Sequence, residues 1–356
     1  MPSNPHAATD RDLDGWLRRV LDVHFDPSGG TPYWLEWADR HGVDVRSRVE
    51  TFADLRAVFE PFDDAVLREL NADRFAPQSL SGPRRVYETG GTTGAPKRVV
   101  MVDYWRQQAA WAARVLETDD FPRGNLLMLG PPGGANNAGV FVRHLADEWG
   151  TLAYFVNMDP RWAKRLSGRR DTAEFDAYVE HLLDQAERVL ATQDVTVLFT
   201  TARLLERPRV RDLVAEHDIE AVYHGGTALD PGTYRHFRES WYPDVAFAGE
   251  YGNTLMGVAQ EVPTAMRPPE QRGYRPQYVP CHPYFLPEVV DGDGDPVDYG
   301  ERGRVRLTVL TEELFIPLLD ERDRATRLAG EEPYPWDWVG TPGTDPGTED
   351  AVEGVY

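Results

Sequence analysis

From residue 126 to about 250, short apolar runs alternate with amphipathic stretches, and that alternation limits what this 356-residue chain can fold into. Residues 126–129 read as a buried strand, and a helical stretch runs on to 149. Residues 152–156 are the next strand. The stretch 175–190 puts Tyr178, Val179, Leu182, Leu183, Ala186 and Val189 on one helical face. Strand 195–200, helix 210–216, strand 219–223, helix 233–241 and strand 245–248 complete the series. Parallel strands need long crossovers and bury both faces, so this order predicts an α/β fold of mainly parallel sheets covered by helices.

Around that core the expected divisions are a helical segment over 1–84, a nucleotide-binding core over 85–282, a smaller β-rich subdomain over 283–329 and a tail over 330–356. The first segment shows helical spacing at 11–24, 33–41 and 52–62. The stretch Asp291-Gly292-Asp293-Gly294-Asp295 marks a turn between strands. It lacks the ligand series and closing glutamate of a calcium loop. The tail is rich in Pro, Gly, Asp and Thr with little periodicity, and no structure is assigned to it.

Between two predicted strands at 85–102 lies Thr89-Gly90-Gly91-Thr92-Thr93-Gly94-Ala95-Pro96-Lys97. Glycines let backbone N–H groups approach an anion, hydroxyls add donors and a lysine adds a point charge, so this loop is suited to phosphate. It is not a Walker P-loop, because Pro96 precedes the lysine and Arg98 follows it, and it does not fit the Gly-x-Gly-x-x-Gly spacing. The chain has only two lysines, Lys97 and Lys164, among its 38 basic residues. A lysine inside the loop is therefore a departure from the arginine used elsewhere. Asp103 is placed to cap a helix running to about 117.

The nine-residue loop resembles the phosphate signature of the adenylate-forming superfamily, which includes acyl-CoA synthetases, aryl-acid ligases, luciferases and nonribosomal peptide adenylation domains. Three later segments resemble that family in the same order. Gly225-Gly226-Thr227 is similar to its strand-end segment against adenine. Tyr251-Gly252-Asn253-Thr254 is similar to its Tyr-Gly-x-Thr-Glu signature, whose tyrosine stacks near adenine and whose threonine meets the α-phosphate. Asp323 sits where relatives carry the aspartate that holds the ribose, with Asp320 as a rival.

The resemblance implies ATP as cosubstrate, gripped by Thr89, Gly90, Gly91, Thr92, Thr93, Gly94 and Lys97, with Lys97 and Thr254 as the catalytic pair. It implies Mg²⁺ as well, but Leu255 stands where the family's metal glutamate belongs, which leaves Glu250 as the stand-in. Asn136, Asn137 and His224 are the expected acid-pocket residues. The two asparagines could instead cap the following helix, and the histidine could be a packed strand-end residue.

The chain ends 33 residues past Asp323, so the family's lysine-bearing C-terminal domain is expected to be absent. In this it resembles the phenazine antibiotic biosynthesis adenylation proteins and phenylacetate-CoA-ligase-like members. The implied activity is adenylation of an aryl or acyl carboxylic acid. The product would pass to a separate partner: a reductase, a carrier protein or a detached C-terminal domain.

A formal net charge of −21 argues against nucleic-acid or anionic-membrane partners, whose phosphates it would repel. With Cys281 the sole cysteine, no internal disulfide forms, and a buried role is expected for it. Without a signal-like apolar segment, the expected location is the cytoplasm.

Overall fold

The computed structural model describes residues 13–90, 95–168, 172–226 and 228–344. Among the described residues five short helices come first, at Leu13–His24, Pro32–His41, Val45–Arg48, Phe52–Val58 and Val66–Glu69. Their apolar stripes bury Leu17, Val20, Leu21, Trp34, Leu55 and Leu67 in the main core.

Strands β1 (Arg85–Glu88) and β2 (Arg98–Met101) pair antiparallel and carry the glycine loop between them. The predicted strand–loop–strand is thus the observed one. Helix Tyr104–Glu117 follows, but Asp103 does not cap it. The Asp103 carboxylate turns to Arg106 instead, at 2.6 Å. Glu313, far away in sequence, accepts the N–H groups of Val102 and Asp103 at 2.8 Å and of Tyr104 at 3.3 Å. It meets both the unpaired donors and the positive end of the helix dipole.

The remaining strands are β3 (Leu126–Gly130), β4 (Ala153–Asn157), β5 (Val197–Thr201), β6 (Ala221–Gly225), β7 (Ala246–Asn253), β8 (Gly257–Glu261), β9 (Gln277–Pro280), β10 (Phe285–Val290), β11 (Arg302–Leu310), β12 (Phe315–Leu328) and β13 (Trp338–Gly343). They form one 11-stranded sheet in the order β10-β11-β12-β13-β9-β8-β7-β6-β5-β3-β4. From β4 to β7 the pairing is parallel, and from β7 to β10 it is antiparallel. The α/β class and the added β region are both present, and β7 belongs to both halves.

Alternate residues of the parallel strands enter two separate cores. Leu126, Met128, Val197, Phe199, Ala221 and Tyr223 face the side packed by helices Tyr104–Glu117 and Ala138–Trp149. Leu127, Leu129, Leu198 and Val222 face Thr172–Leu190 and Pro208–Glu216. Helices on both faces explain why these strands read as continuous apolar runs.

The expected tail instead supplies β13, which lies between β12 and β9. Trp338 is 1% exposed there, and Trp336 stacks on His282 at 4.8 Å. Gly340, Pro342 and Gly343 within the strand erase the alternation by which it would be read. The Asp/Gly cluster is a turn, as expected: Asp291 Oδ1 accepts from the N–H groups of Asp293, Gly294 and Asp295 at 2.9, 3.0 and 3.0 Å.

Candidate active site

The chain runs from β3 to β4 on one side and then returns to β5 on the other side of β3. Open α/β sheets hold ligands beyond the carboxyl ends of strands at such a reversal. A cavity of about 510 Å³ lies here, lined by Met128–Pro131 after β3 and Phe199–Thr201 at the end of β5. Gly225 and Gly226 close it from β6, and Glu250 and Gly252–Leu255 from β7.

Three loops meet at its rim. Thr89 N–H donates to the Lys97 carbonyl at 3.1 Å, and Lys97 N–H to Thr89 Oγ1 at 3.1 Å, which closes the neck of the glycine loop. Glu88 N–H donates to the Ala135 carbonyl at 2.9 Å and ties that loop to the one after β3. Thr254 Oγ1 stands 3.1 Å from both the Glu88 carbonyl and Asn137 Oδ1. Thr89, Gly90, Lys97 and Thr254 therefore border one space, while Gly91, Thr92, Thr93, Gly94 and Thr227 lie outside the described residues.

Lys97 is 13% exposed and its ammonium is paired with Asp64. Asp64 also binds Arg68 at 2.7 Å, and Arg68 Nε donates to the Ala95 carbonyl at 3.1 Å. Burial alone would push the Asp64 carboxyl up, but hydrogen bonds from Lys97 and Arg68 outweigh it and hold it below the usual range. Asp64 and Arg68 both line the cavity, and neither belongs to a motif. Arg68 comes from helix Val66–Glu69 and Asp64 from the turn before it, where nothing in the residue pattern distinguishes them from surface charge.

Asn253 organises the turn between β7 and β8. Its Oδ1 accepts from Leu255 and Met256 N–H at 2.9 and 3.1 Å, and its Nδ2 donates to Glu321 at 3.0 Å. Glu321, on β12, lines the cavity beside Asp320 and Arg322. Burial raises the Glu321 carboxyl, and the nearby Lys97 charge pulls it the other way. In the sequence the motif resemblance points to its neighbours Asp323 and Asp320 instead.

Those neighbours divide the ribose role differently from one another. Asp323 is outside the cavity lining and accepts from the Tyr251 hydroxyl at 3.0 Å. Asp320 lines the cavity but is paired with Arg306 at 2.7 Å and Arg304 at 3.2 Å.

Asn137 occupies the N-cap position of helix Ala138–Trp149 without capping it, since its side chain meets Thr254 instead. Asn136 donates weakly to the Gly133 carbonyl, at 3.5 Å. Both line the cavity. His224 does not: strand alternation turns it away from the side its neighbour Tyr223 faces, onto Phe247 at 4.7 Å. It is 1% exposed, and burial lowers its ring to about 3, so it stays neutral. The expectation that it orients an acid is corrected by this packing.

Glu250 does face the cavity. Its Oε2 accepts from the Tyr223 hydroxyl at 3.2 Å, and burial pushes its carboxyl up to about 8. Leu255 is 1% exposed and apolar. Among the described residues no group of three or more His, Cys, Asp or Glu is placed to hold a metal. With Leu255 apolar and burial disfavouring the charged form of Glu250, these two positions do not fit a metal site built by the protein, since hard cations take ionised oxygen ligands. Cys281 is fully buried, and burial pushes its thiol up, so it is a packing residue.

No protein-family model matches the chain, and no curated protein matches it. Solved structures do. 2-Hydroxyisobutyryl-CoA ligase in the postadenylation state, in complex with 2-HIB-AMP, matches with TM-score 0.63 and 15% identity, over 95% of this chain and 67% of that one. The R3-HIB-AMP complex of that ligase gives 0.62 and 15% over 96% and 68%. An open conformation with 2-HIB-AMP and CoA gives 0.64 and 15% over 95% and 74%. At that identity the likeness establishes a shared fold. Among the described residues no helix is long and apolar enough to cross a membrane.

Proposed function

We propose that this chain activates an aryl or acyl carboxylic acid by adenylation: the carboxylate attacks the α-phosphorus of ATP, pyrophosphate leaves, and an acyl-AMP forms. One observation carries the reading. A single cavity at the reversal point of the sheet gathers the glycine-loop neck, Lys97, Thr254, Gly225 and Gly226. These come from separate stretches of sequence and converge where an open α/β sheet holds its ligand.

The chemistry asks for position and charge control rather than a base, because the nucleophile is already an anion at neutral pH. Lys97 and Arg68 would take the β- and γ-phosphates once the nucleotide displaces Asp64 from the lysine. The Thr254 hydroxyl, now shared between Glu88 and Asn137, would donate to the α-phosphate in its attacked form. Gly225 and Gly226 present backbone to a flat base with no side chain in the way, and the Tyr251–Asp323 pair would border the sugar. Mg²⁺ would enter on the triphosphate and withdraw charge from the leaving pyrophosphate, held by phosphate oxygens and water rather than by a cage of protein carboxylates.

The acyl-AMP would then pass to a separate acceptor, and the resemblance to the phenazine-type proteins extends the proposal to secondary metabolism. The fold-sharing ligase that holds an acyl adenylate supports the same reading. Carboxylate-dependent exchange of labelled pyrophosphate into ATP tests it. Exchange is expected with at least one acid of a broad aryl and alkyl panel. ATP binding without exchange for any acid would reduce the chain to a nucleotide-binding protein.

A further inference from the structure

Among the described residues that line the cavity, carboxyl groups outnumber cations: five acids stand against Arg68, Lys97 and Arg322. The whole chain carries a formal charge of −21. A polyanionic nucleotide has to approach the opening against both. Contacts inside the cavity act only once it has arrived, so any charge that speeds its approach lies at the rim or beyond.

Helix Pro160–Gly168 meets that requirement. It follows β4, which runs parallel to β3 and ends level with Gly130, a residue of the cavity lining. Its charged residues are Arg161, Lys164 and Arg165, and none is acidic. The carboxylate just before it is occupied at the helix start: Asp159 Oδ1 accepts from the N–H groups of Arg161 at 2.9 Å and Trp162 at 3.2 Å. Arg165 is exposed and lies over the Trp162 ring, 5.6 Å from its centroid.

Arg161 reaches the rim. It pairs with Glu88, which lines the cavity next to Thr89, and Arg98 holds the other Glu88 oxygen at 2.8 Å. Asp64, bound to Lys97 at the same loop neck, also has two cationic partners, the second being Arg68. Each of these carboxylates is shared by two cations, so the neck keeps a surplus of positive charge. The Arg161 side chain is 74% exposed and lies outside the cavity lining. A contact made by so exposed a charge adds little to affinity, but its field reaches about 30 Å at 0.01 M salt and only about 3 Å at 1 M.

We propose that Arg161 and Arg165 are entry residues for the nucleotide. They draw the polyanion toward the glycine loop by long-range attraction and do not hold it once it is bound. The inference rests on the adenylation reading for the ligand being a nucleoside triphosphate.

Stopped-flow fluorescence with N-methylanthraniloyl-ATP tests it by separating association from dissociation. The proteins compared are the wild type, Arg161→Gln, Arg165→Gln, the two combined, and Arg123→Gln, all checked for folding by thermal melting. Arg123 precedes β3, at the end of the strand away from the cavity, and serves as the charge-matched control. At about 0.01 M salt the combined variant is expected to associate about threefold to tenfold more slowly than the wild type, with dissociation within about twofold. The gap should close at about 1 M salt. Arg161→Gln also leaves Glu88 with one cation fewer, so Arg165→Gln alone must slow association too, by about twofold. Unchanged association, a defect that survives at high salt, a change confined to dissociation, or an equal defect in Arg123→Gln would overturn the proposal and leave the adenylation reading standing. A wild-type protein that binds no nucleotide at millimolar concentration would overturn both.

Discussion

Lys97 meets Asp64 before it meets any ligand. The pair holds the ammonium at the neck of the glycine loop with its long side chain already ordered, so little side-chain freedom is left to lose when phosphate arrives. Arg68 shares the same carboxylate and keeps it ionised. A triphosphate then exchanges one anionic partner for another, and the lysine never faces the cavity bare. Replacing Lys97 by Ala should weaken ATP binding about tenfold to a hundredfold, read by calorimetry, because a charge-assisted contact is lost and Asp64 is left facing the phosphates. Unchanged ATP affinity would remove the loop from the binding site. The lysine itself was legible in the sequence as an exception among arginines. Its partner was not, because a carboxylate in the turn before a short helix gives no local sign of a lysine 33 positions later, from 64 to 97.

At the scale of elements, the corner after β11 joins the N-terminal helices to the helix that follows the glycine loop. His24 lies between Thr31 Oγ1 at 2.6 Å and the Thr311 carbonyl at 2.8 Å, and Trp16 donates to the Leu310 carbonyl at 2.8 Å. Two residues on, Glu313 caps helix Tyr104–Glu117. Glu313→Ala should cost about 2 kcal/mol of stability in urea unfolding, since three N–H groups, one buried and two half-buried, lose their acceptor. A loss within error of zero would mean that water replaces the carboxylate.

His24 supplies a pH signature. Burial lowers its ring to about 4, against 6.5 in an unfolded chain. As pH falls from 6.5 toward 4, the unfolded state takes up a proton the folded state refuses, so this residue's contribution declines through that window. The stability advantage of wild type over His24→Gln should therefore shrink as pH is lowered from 6.5 to 4, by up to about 1.4 kcal/mol per pH unit. An advantage that grows on acidification would contradict the neutral, doubly bonded ring. Neither link was visible beforehand. Asp103 sits at the expected cap position, and only the corner between β11 and β12 brings Glu313 there in its place.

At the scale of the molecule, the alternation from 126 to 250 carried the parallel half of the sheet, because buried strands and amphipathic helices leave different periods. It carried the strand-end glycines with it, since they sit where β6 must stop. The antiparallel half was harder to read. β13 hides among Pro and Gly residues, and β12 runs from Phe315 to Leu328 with a left-handed residue at Leu318 (φ 51°) that breaks its period. That irregular strand delivers Glu321 to the cavity and turns Asp323 toward Tyr251, so the ribose side of the site was the least legible part.

The central claim is that one site joins a carboxylate to the α-phosphorus of ATP, and isotope transfer tests it most directly. An accepted acid labelled with ¹⁸O in its carboxylate is incubated with ATP and hydroxylamine, and the phosphorus products are weighed by mass spectrometry. Attack at the α-phosphorus leaves one labelled oxygen in AMP and none in pyrophosphate. Label in inorganic phosphate with ADP as the other product, or unlabelled AMP, would contradict the account.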